Sequence, residues 1–356
     1  MWTRTKAARR LGIEVPIIQG PFGGNFSTVA LAAAVSNGGG LGSFGAQAYP
    51  AEDIRRIISE LRAATGQPFN INLWISDRDA HDPARLAADF ATQTHALRPW
   101  HDELGIEPPA FSEDAGESFE RQVEAVLDAR PPVFSFVFGI PPVEILQACK
   151  KRGIVTLGAA TTVEEALAVE SAGADFVLAT GFEAGGHRPS FLKEAEDSLH
   201  GTLALVPRVV DAVRIPVIAA GGIADGRGIA AAMRLGAGAV QIGTAFLACE
   251  ESGAAEFHRR HLLSGKAGDT TLTRAYTGRL ARFIRNRFIE ETCGPTLPFP
   301  WQSHATAALK SAAIAHDRAD LAALYAGQGA PLLRHHRADP LLRSLIEETA
   351  KVICPP

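Results

Sequence analysis

Residues 215–247 contain the same construction twice, and it restricts the folds open to this chain. Val217 to Ala220 is a short apolar run that breaks at Gly221-Gly222 before a helix beginning near Asp225, and Ala239 to Ile242 is a second run that breaks at Gly243-Thr244. Glycines let backbone N–H groups come close to an anion, and a helix N-terminus adds a favourable dipole. Two such turns in succession predict a phosphate held by consecutive loops, as after strands 7 and 8 of a (β/α)8 barrel. Glycine used only for compactness would account for one turn more readily than for two.

The rest of the chain repeats this alternation. Short apolar or β-branched runs at 15–19, 41–44, 69–74, 133–137, 154–157, 176–179, 217–220 and 239–242 are separated by alanine-rich helical stretches, the pattern of βαβ units and a parallel sheet. Eight runs predict closure, so the expected fold class is α/β, a TIM (β/α)8 barrel. In the helix expected over 51–64, Ile54, Ile57, Ile58 and Leu61 line one face. Gly66, Gly153, Gly173 and Gly236 fall where helices should end. Two regions depart from the pattern. Residues 76–115, from Ser76 through His81 and Trp100 to Pro108-Pro109, predict a helical insertion after strand 3, placed to act as a lid. The tail beyond Leu263 has no further clear strand and reads as helical, including 305–315 and 340–352. The expected division is therefore a barrel over 1–265 and a C-terminal extension over 266–356 that packs across the barrel or into a subunit contact, as in a homodimer.

Composition narrows the partners. A net charge of −4 gives no general attraction to nucleic acid or to an anionic membrane. No stretch approaches the length of a membrane span, and the basic N-terminus (Arg4, Lys6, Arg9, Arg10) is not followed by an apolar signal segment. Cys149, Cys249, Cys293 and Cys354 lie far apart without a C-x-x-C pair, which suggests neither a zinc site nor a disulfide framework and fits a cytoplasmic location.

The sixth run leads into Thr180-Gly181-Phe182-Glu183-Ala184-Gly185-Gly186-His187-Arg188, which puts a histidine in a glycine-rich loop at the barrel's C-terminal rim. Histidine is the side chain most easily tuned to exchange a proton near neutral pH, so His187 is the candidate catalytic group. Glu183 is the second candidate base, although so close to the strand it would equally brace the loop. Asn72 sits near the end of the third run on the same pleat face as Asn70. Its amide suits a planar ring with adjacent N–H and C=O groups, and equally a structural role in the strand. Gly20-Pro21-Phe22-Gly23-Gly24 opens a further approach for a flat ligand. A phosphate on one side and a ring on the other predict a mononucleotide-sized cofactor, with a flavin the economical choice.

The chain resembles the nitronate monooxygenase family, formerly the 2-nitropropane dioxygenases, from Pro16 to about Ser264. The resemblance rests on Phe182-Glu183-Ala184-Gly185-Gly186-His187-Arg188, on Ala219-Ala220-Gly221-Gly222-Ile223 and on Gln241-Ile242-Gly243-Thr244-Ala245-Phe246. Thr277-Gly278-Arg279-Leu280-Ala281-Arg282 and Tyr325-Ala326-Gly327-Gln328-Gly329-Ala330 are similar to tail segments of its class I branch. This implies an FMN-dependent oxidation of alkyl nitronates or nitroalkanes with O2 to a carbonyl compound and nitrite. It assigns FMN contacts to Asn72, Gly185, Gly221, Gly222, Gln241, Ile242, Gly243 and Thr244, and the active-site role to His187. Pro21, Phe22 and Thr180 are expected beside the flavin ring, and two of them depart from the family pattern: Phe22 replaces a methionine and Thr180 a glutamine. His187 is expected to act mainly by hydrogen bond or positive charge on the nitronate, and as base toward a neutral nitroalkane. The alternatives are an NAD(P)H-dependent reductase of quinones or enoyl thioesters, a non-redox sugar-phosphate isomerase or lyase, and a catalytically silent ligand-binding barrel.

Overall fold

The computed structural model describes residues 2–75, 79–113, 118–292 and 294–353; Ser76, Cys293 and Cys354, named above, lie outside them. In chain order the strands are β1 (Ile17–Gln19), β2 (Gly42–Gly45), β3 (Phe69–Trp74), β4 (Val133–Val137), β5 (Val155–Ala160), β6 (Phe176–Thr180), β7 (Gly186–His187), β8 (Val217–Ala220), β9 (Ala239–Ile242), β10 (Thr270–Thr273) and β11 (Ala281–Ile284). Eight of them form one parallel sheet in the order β1-β9-β8-β6-β5-β4-β3-β2. Its two ends meet through a parallel bridge between Ile18 and Leu41, where Leu41 N–H donates to Ile17 O at 3.0 Å and Gln19 N–H to Leu41 O at 2.9 Å. The expected barrel is therefore present, with a helical insertion after β3 and a tail beyond β9.

Strand alternation gives the barrel two faces. Ile17, Ile71, Phe134, Val177, Ala219 and Val240 pack outward under the helices. Ile18, Leu157, Leu178 and Ile218 share a second cluster with Ala7, Ala8 and Leu11 of the helix Lys6–Leu11. Part-way along β2, β3 and β4 the inner positions turn polar. Asn70 Nδ2 donates to Ser43 Oγ at 3.2 Å and to Ser135 Oγ at 2.9 Å, and Asn72 Nδ2 donates to Ser135 Oγ at 3.0 Å. The barrel interior thus has an apolar floor with a polar layer above it.

Helix ends follow their local signals in most places. Gly153, Gly173 and Gly236 take positive φ values of 73°, 92° and 99°, as C-terminal glycines do. Gly66 does not, because the preceding helix Ala51–Ala64 already ends on an extended Thr65.

The two irregular regions pack on each other. Leu86, Phe90 and Trp100 of the insertion share a core with Phe257, Tyr276, Phe283, Phe288, Trp301 and Leu321 of the tail. The helix expected over 305–315 is broken at Thr306 into Trp301–Ala305 and Ala307–Ala315. The tail also holds β10 and β11, which the sequence pattern did not mark as strands; β11 lies between β10 and β7 and pairs antiparallel with both. Thr270-Thr271-Leu272-Thr273 carries one apolar residue in four, too little alternation to mark a strand. The final helix Ala338–Ile353 returns to the barrel wall between Gly226–Arg234 and Val29–Asn37. No helix among the described residues is long and apolar enough to cross a membrane.

Close helix-on-strand contact gives a stability test. A Cβ at Gly42 would lie 1.9 Å from Ala32 O, in the backbone of the helix Val29–Asn37, whereas nothing lies within 4 Å of one at Gly66. Gly42→Ala is expected to destabilise by at least ~1–3 kcal/mol, the usual cost of overpacking. Gly66→Ala is expected to be neutral or to stabilise by ~0.4–1 kcal/mol through the unfolded chain. Urea unfolding midpoints of the two variants check the contrast.

Candidate active site

Above the polar layer, the turn after β8 has Gly221 at φ 113° and Gly222 at φ 70°, values that side chains disfavour. The helix Gly226–Arg234 follows, capped by Asp225, whose Oδ1 accepts from the N–H groups of Arg227 at 3.0 Å and Gly228 at 3.1 Å. Next to it, Gly243-Thr244 leads into the short helix Thr244–Leu247. The N–H groups of Gly222 and Gly243 make no turn or loop hydrogen bond to the main chain among the described residues, while that of Gly221 lies where the β8–β9 pairing with Gln241 ends. Unsatisfied donors on adjacent loops suit a phosphate.

The tail crosses this rim, which the spacing of motifs did not reveal. Gly327 N–H donates to Thr244 Oγ1 and Gln328 N–H to Glu183 O, both at 2.9 Å. The approach is so close that a Cβ at Gly185 would lie 2.6 Å from Gly327 N, and one at Gly329 would lie 2.6 Å from Gly222 O. Segment 325–330 thus seats on three of the loops that carry expected cofactor contacts.

His187 is held by the tail as well. As part of β7 it pairs with Ala281 of β11, and Arg188 N–H donates to Leu280 O at 2.8 Å, so the glycine-rich loop is pinned as an edge strand. The imidazole Nε2 lies 3.0 Å from Thr277 Oγ1. Around the ring stand Trp74, Tyr325, Phe138 and Phe299, with centroids at 5.2, 6.1, 6.3 and 6.4 Å. Arg279 fills the space behind them, with its guanidinium 4.2 Å from the Phe138 ring centroid and 4.5 Å from that of Phe299 and its Nε donating to Asp79 Oδ1 at 2.8 Å. Burial pushes the His187 imidazole down to about 3, and the charges of Arg279 and Lys310 add to the shift. The imidazole is therefore neutral at physiological pH, which removes the expected positive charge on His187 in the resting protein and leaves it a hydrogen-bond partner.

Positive charge comes from other residues. Lys310 donates to Ser303 O at 3.2 Å and Ser303 Oγ at 3.0 Å, and burial brings its ammonium down to about 8. Arg188 is buried and donates to Thr180 O and Ser198 O, both at 2.7 Å; burial lowers it to about 10. Arg282, likewise buried, donates to Phe182 O at 3.0 Å. Glu183 is not placed as a base: its carboxylate accepts from Thr202 N–H and from Thr202 Oγ1 at 2.9 Å, bracing the start of the helix Thr202–Ala212.

The other expected contacts converge on the same mouth. Thr180 ends β6, and its Oγ1 is buried without a partner. Phe22 presents its ring edge 3.9 Å from where a Gly243 Cβ would stand, and Pro21 precedes it in the loop after β1. Gln241 lies next to Ala220 across the β8–β9 pair. Ile242 is fully buried in the outer core, so only its backbone faces the rim. Asn72 has its Nδ2 committed to Ser135, which favours the structural reading of that nitrogen. Sequence reasoning did not find Trp74, Thr277, Lys310 and Gln328 as neighbours of the site. The resemblance had marked the segments holding Thr277 and Gln328, and no spacing linked them to His187.

Comparison with known proteins shows the family and the fold. The sequence model of the nitronate monooxygenase family matches residues 4–348. A nitronate monooxygenase of Pseudomonas aeruginosa is 46% identical over 349 residues, covering 96% of this chain and 97% of its own. A probable nitronate monooxygenase of Staphylococcus aureus is 37% identical over 357 residues, covering 99% of each. Among solved structures, nitroalkane oxidase from Streptomyces ansochromogenes has a TM-score of 0.88 at 39% identity, covering 97% of this chain and 98% of that one. FabK from Thermotoga maritima has a TM-score of 0.74 at 30% identity, covering 98% and 97%.

Two histidines that titrate low in the fold predict an acid sensitivity. His258 donates from Nε2 to Tyr325 O at 2.9 Å, and burial lowers it to about 4. Both His187 and His258 titrate lower in the fold than the ~6.5 of an unfolded chain, so as pH falls below that value the unfolded state takes up protons first. Their contribution is fully present above pH ~6.5 and is lost progressively toward the folded values of about 3 and 4. Urea midpoints are expected to fall from pH 7 to 5, and less steeply in His258→Gln, which keeps a donor for Tyr325 O.

Proposed function

Because the chain belongs to the nitronate monooxygenase family, we propose that it oxidises alkyl nitronates, and nitroalkanes after deprotonation, with O2 to a carbonyl compound and nitrite, using bound FMN. The observation that carries this reading is His187: a neutral imidazole in an aromatic chamber, fixed at the barrel mouth beside loops with unsatisfied N–H groups. The residues present fit the cofactor. The N–H groups of Gly221, Gly222 and Gly243, with the start of the helix Thr244–Leu247, would hold the phosphate. The unpartnered Thr180 Oγ1, together with Pro21, Phe22, Gln241 and the Asn72 amide, would border the ring, with Gly185 and Ile242 adding backbone contacts. When bound, the flavin supplies the electron acceptor for the substrate.

The chain's own groups account for the remaining steps. Trp74, Phe138, Phe299 and Tyr325 exclude water around His187, which strengthens each polar contact made there. Lys310 and Arg279 provide positive potential for an anionic nitronate. With a neutral nitroalkane, His187 takes the proton from carbon as negative charge develops on the nitro group beside it, because that charge raises the imidazole from its depressed resting value.

Two experiments test this. Purified protein is expected to be yellow and, without oxygen, to bleach on mixing with a nitronate; rapid bleaching by NADH but not by a nitronate would replace the reading with the reductase, and colourless protein would favour a non-redox barrel. Gly243 has φ −98° and room for a side chain, so Gly243→Asp adds a carboxylate at the expected phosphate site without backbone strain. It is expected to fold but to purify without flavin, while Gly243→Ala keeps it. Full flavin occupancy in Gly243→Asp would sink the phosphate assignment. His187→Asn, which keeps a hydrogen bond but accepts no proton, is expected to lose turnover of neutral nitroalkanes while retaining much of that on nitronates.

A further inference from the structure

Thr277 stands between His187 and the backbone of Arg279, with two short contacts at one oxygen. Its Oγ1 is 3.0 Å from His187 Nε2 and 3.1 Å from Arg279 O. A carbonyl oxygen only accepts, and a threonine hydroxyl carries a single hydrogen. Both contacts are attractive in one pattern: the hydroxyl donates to Arg279 O, and His187 Nε2 carries the proton and donates to Oγ1. Turning the hydroxyl toward Nε2 would set two oxygen lone pairs against each other at 3.1 Å. Thr277 is 3% exposed, so no bulk water relieves that repulsion.

We propose that Thr277 is a positioning residue that fixes the tautomer of His187, placing the ring proton on Nε2 and leaving Nδ1 as the atom that receives the substrate proton. The remaining contacts of the ring are consistent with this. Nδ1 makes no hydrogen bond among the described residues, and it is not one of the buried side-chain atoms cut off without a partner. The main chain holds the relay in place, since His187 is paired with Ala281 while Thr277 N–H donates to Arg274 O at 3.2 Å. A tautomer set by the partner of the other ring nitrogen is a general device of histidine chemistry.

The assignment rests on the proposed role of His187 only for its effect on turnover, so the test reads the tautomer separately. Full-length protein as purified, labelled with ¹⁵N at histidine rings and assigned with His187→Asn, distinguishes a protonated from a bare ring nitrogen. At neutral pH the proton is expected on Nε2, to stay there in Thr277→Ser, and to redistribute toward Nδ1 in Thr277→Val. A proton on Nδ1 in the unmodified protein, or an unchanged spectrum in Thr277→Val, would overturn the proposal. In turnover, Thr277→Val is expected to lower kcat on a neutral nitroalkane by about 10- to 100-fold, part of what a positioned base contributes, with KM and nitronate turnover little changed and with rescue in Thr277→Ser. Equal losses on both substrates would reduce Thr277 to a structural residue. If the spectra come out as expected and no variant consumes either substrate, the tautomer assignment stands and the proposed activity falls.

Discussion

The last helix has to return to the barrel wall, and most of the site's construction follows from that. Ala338–Ile353 buries Leu341, Leu342 and Leu345 to 4%, 2% and 1% exposure. It sits so tightly that a Cβ at Gly38 would lie 2.6 Å from Leu342 Cδ2 and one at Gly226 would lie 2.4 Å from Glu348 Cβ. Burial of three leucines is worth roughly 1.5–3 kcal/mol each relative to exposure. The chain between β9 and this helix therefore leaves the barrel and comes back, and its route runs over the C-terminal mouth.

That route turns an open rim into an enclosed site. On the outward leg the tail builds a second core with the insertion and adds β11 beside β7. On the return leg it lays Gly327, Gln328 and Gly329 against the loops after β6, β8 and β9. The glycines at 185, 222, 327 and 329 face one another in pairs, so close backbone approach is needed on both sides of the contact. A loop that would otherwise move with its glycines becomes part of a small sheet, and His187 acquires a fixed direction.

The electrostatics of the site are tertiary in the same sense. Arg279 is held by Asp79 from the insertion and stacked on Phe138 and Phe299, rings contributed by the loop after β4 and by the tail. Burial inside the aromatic shell keeps the imidazole neutral, and the charges of Arg279 and Lys310 add to the shift. Positive charge and an uncharged ring thus sit on different residues around one chamber.

The barrel was legible in the sequence because its signals are local. Eight apolar runs, the paired glycine breaks at Gly221-Gly222 and Gly243-Thr244, and the rim position of His187 each depend on neighbours a few residues away, and observed strands such as Phe69–Trp74 and Val217–Ala220 fall at the expected positions. β10 and β11 escaped because Thr270–Thr273 is made a strand by its partner rather than by its own alternation. Glu183 and His187 were both open as bases from sequence; Thr202 decided the first by occupying its carboxylate. The partner of His187 lies 90 residues away in the chain, and no periodicity reports a contact at that distance. What the sequence determined alone was the barrel and the end at which its glycine breaks and rim histidine lie, since both follow from short-range patterning. Which residues enclose that end, which nitrogen of His187 is committed and whether the ring is charged were decided by the tertiary structure, because each depends on where the tail comes to rest.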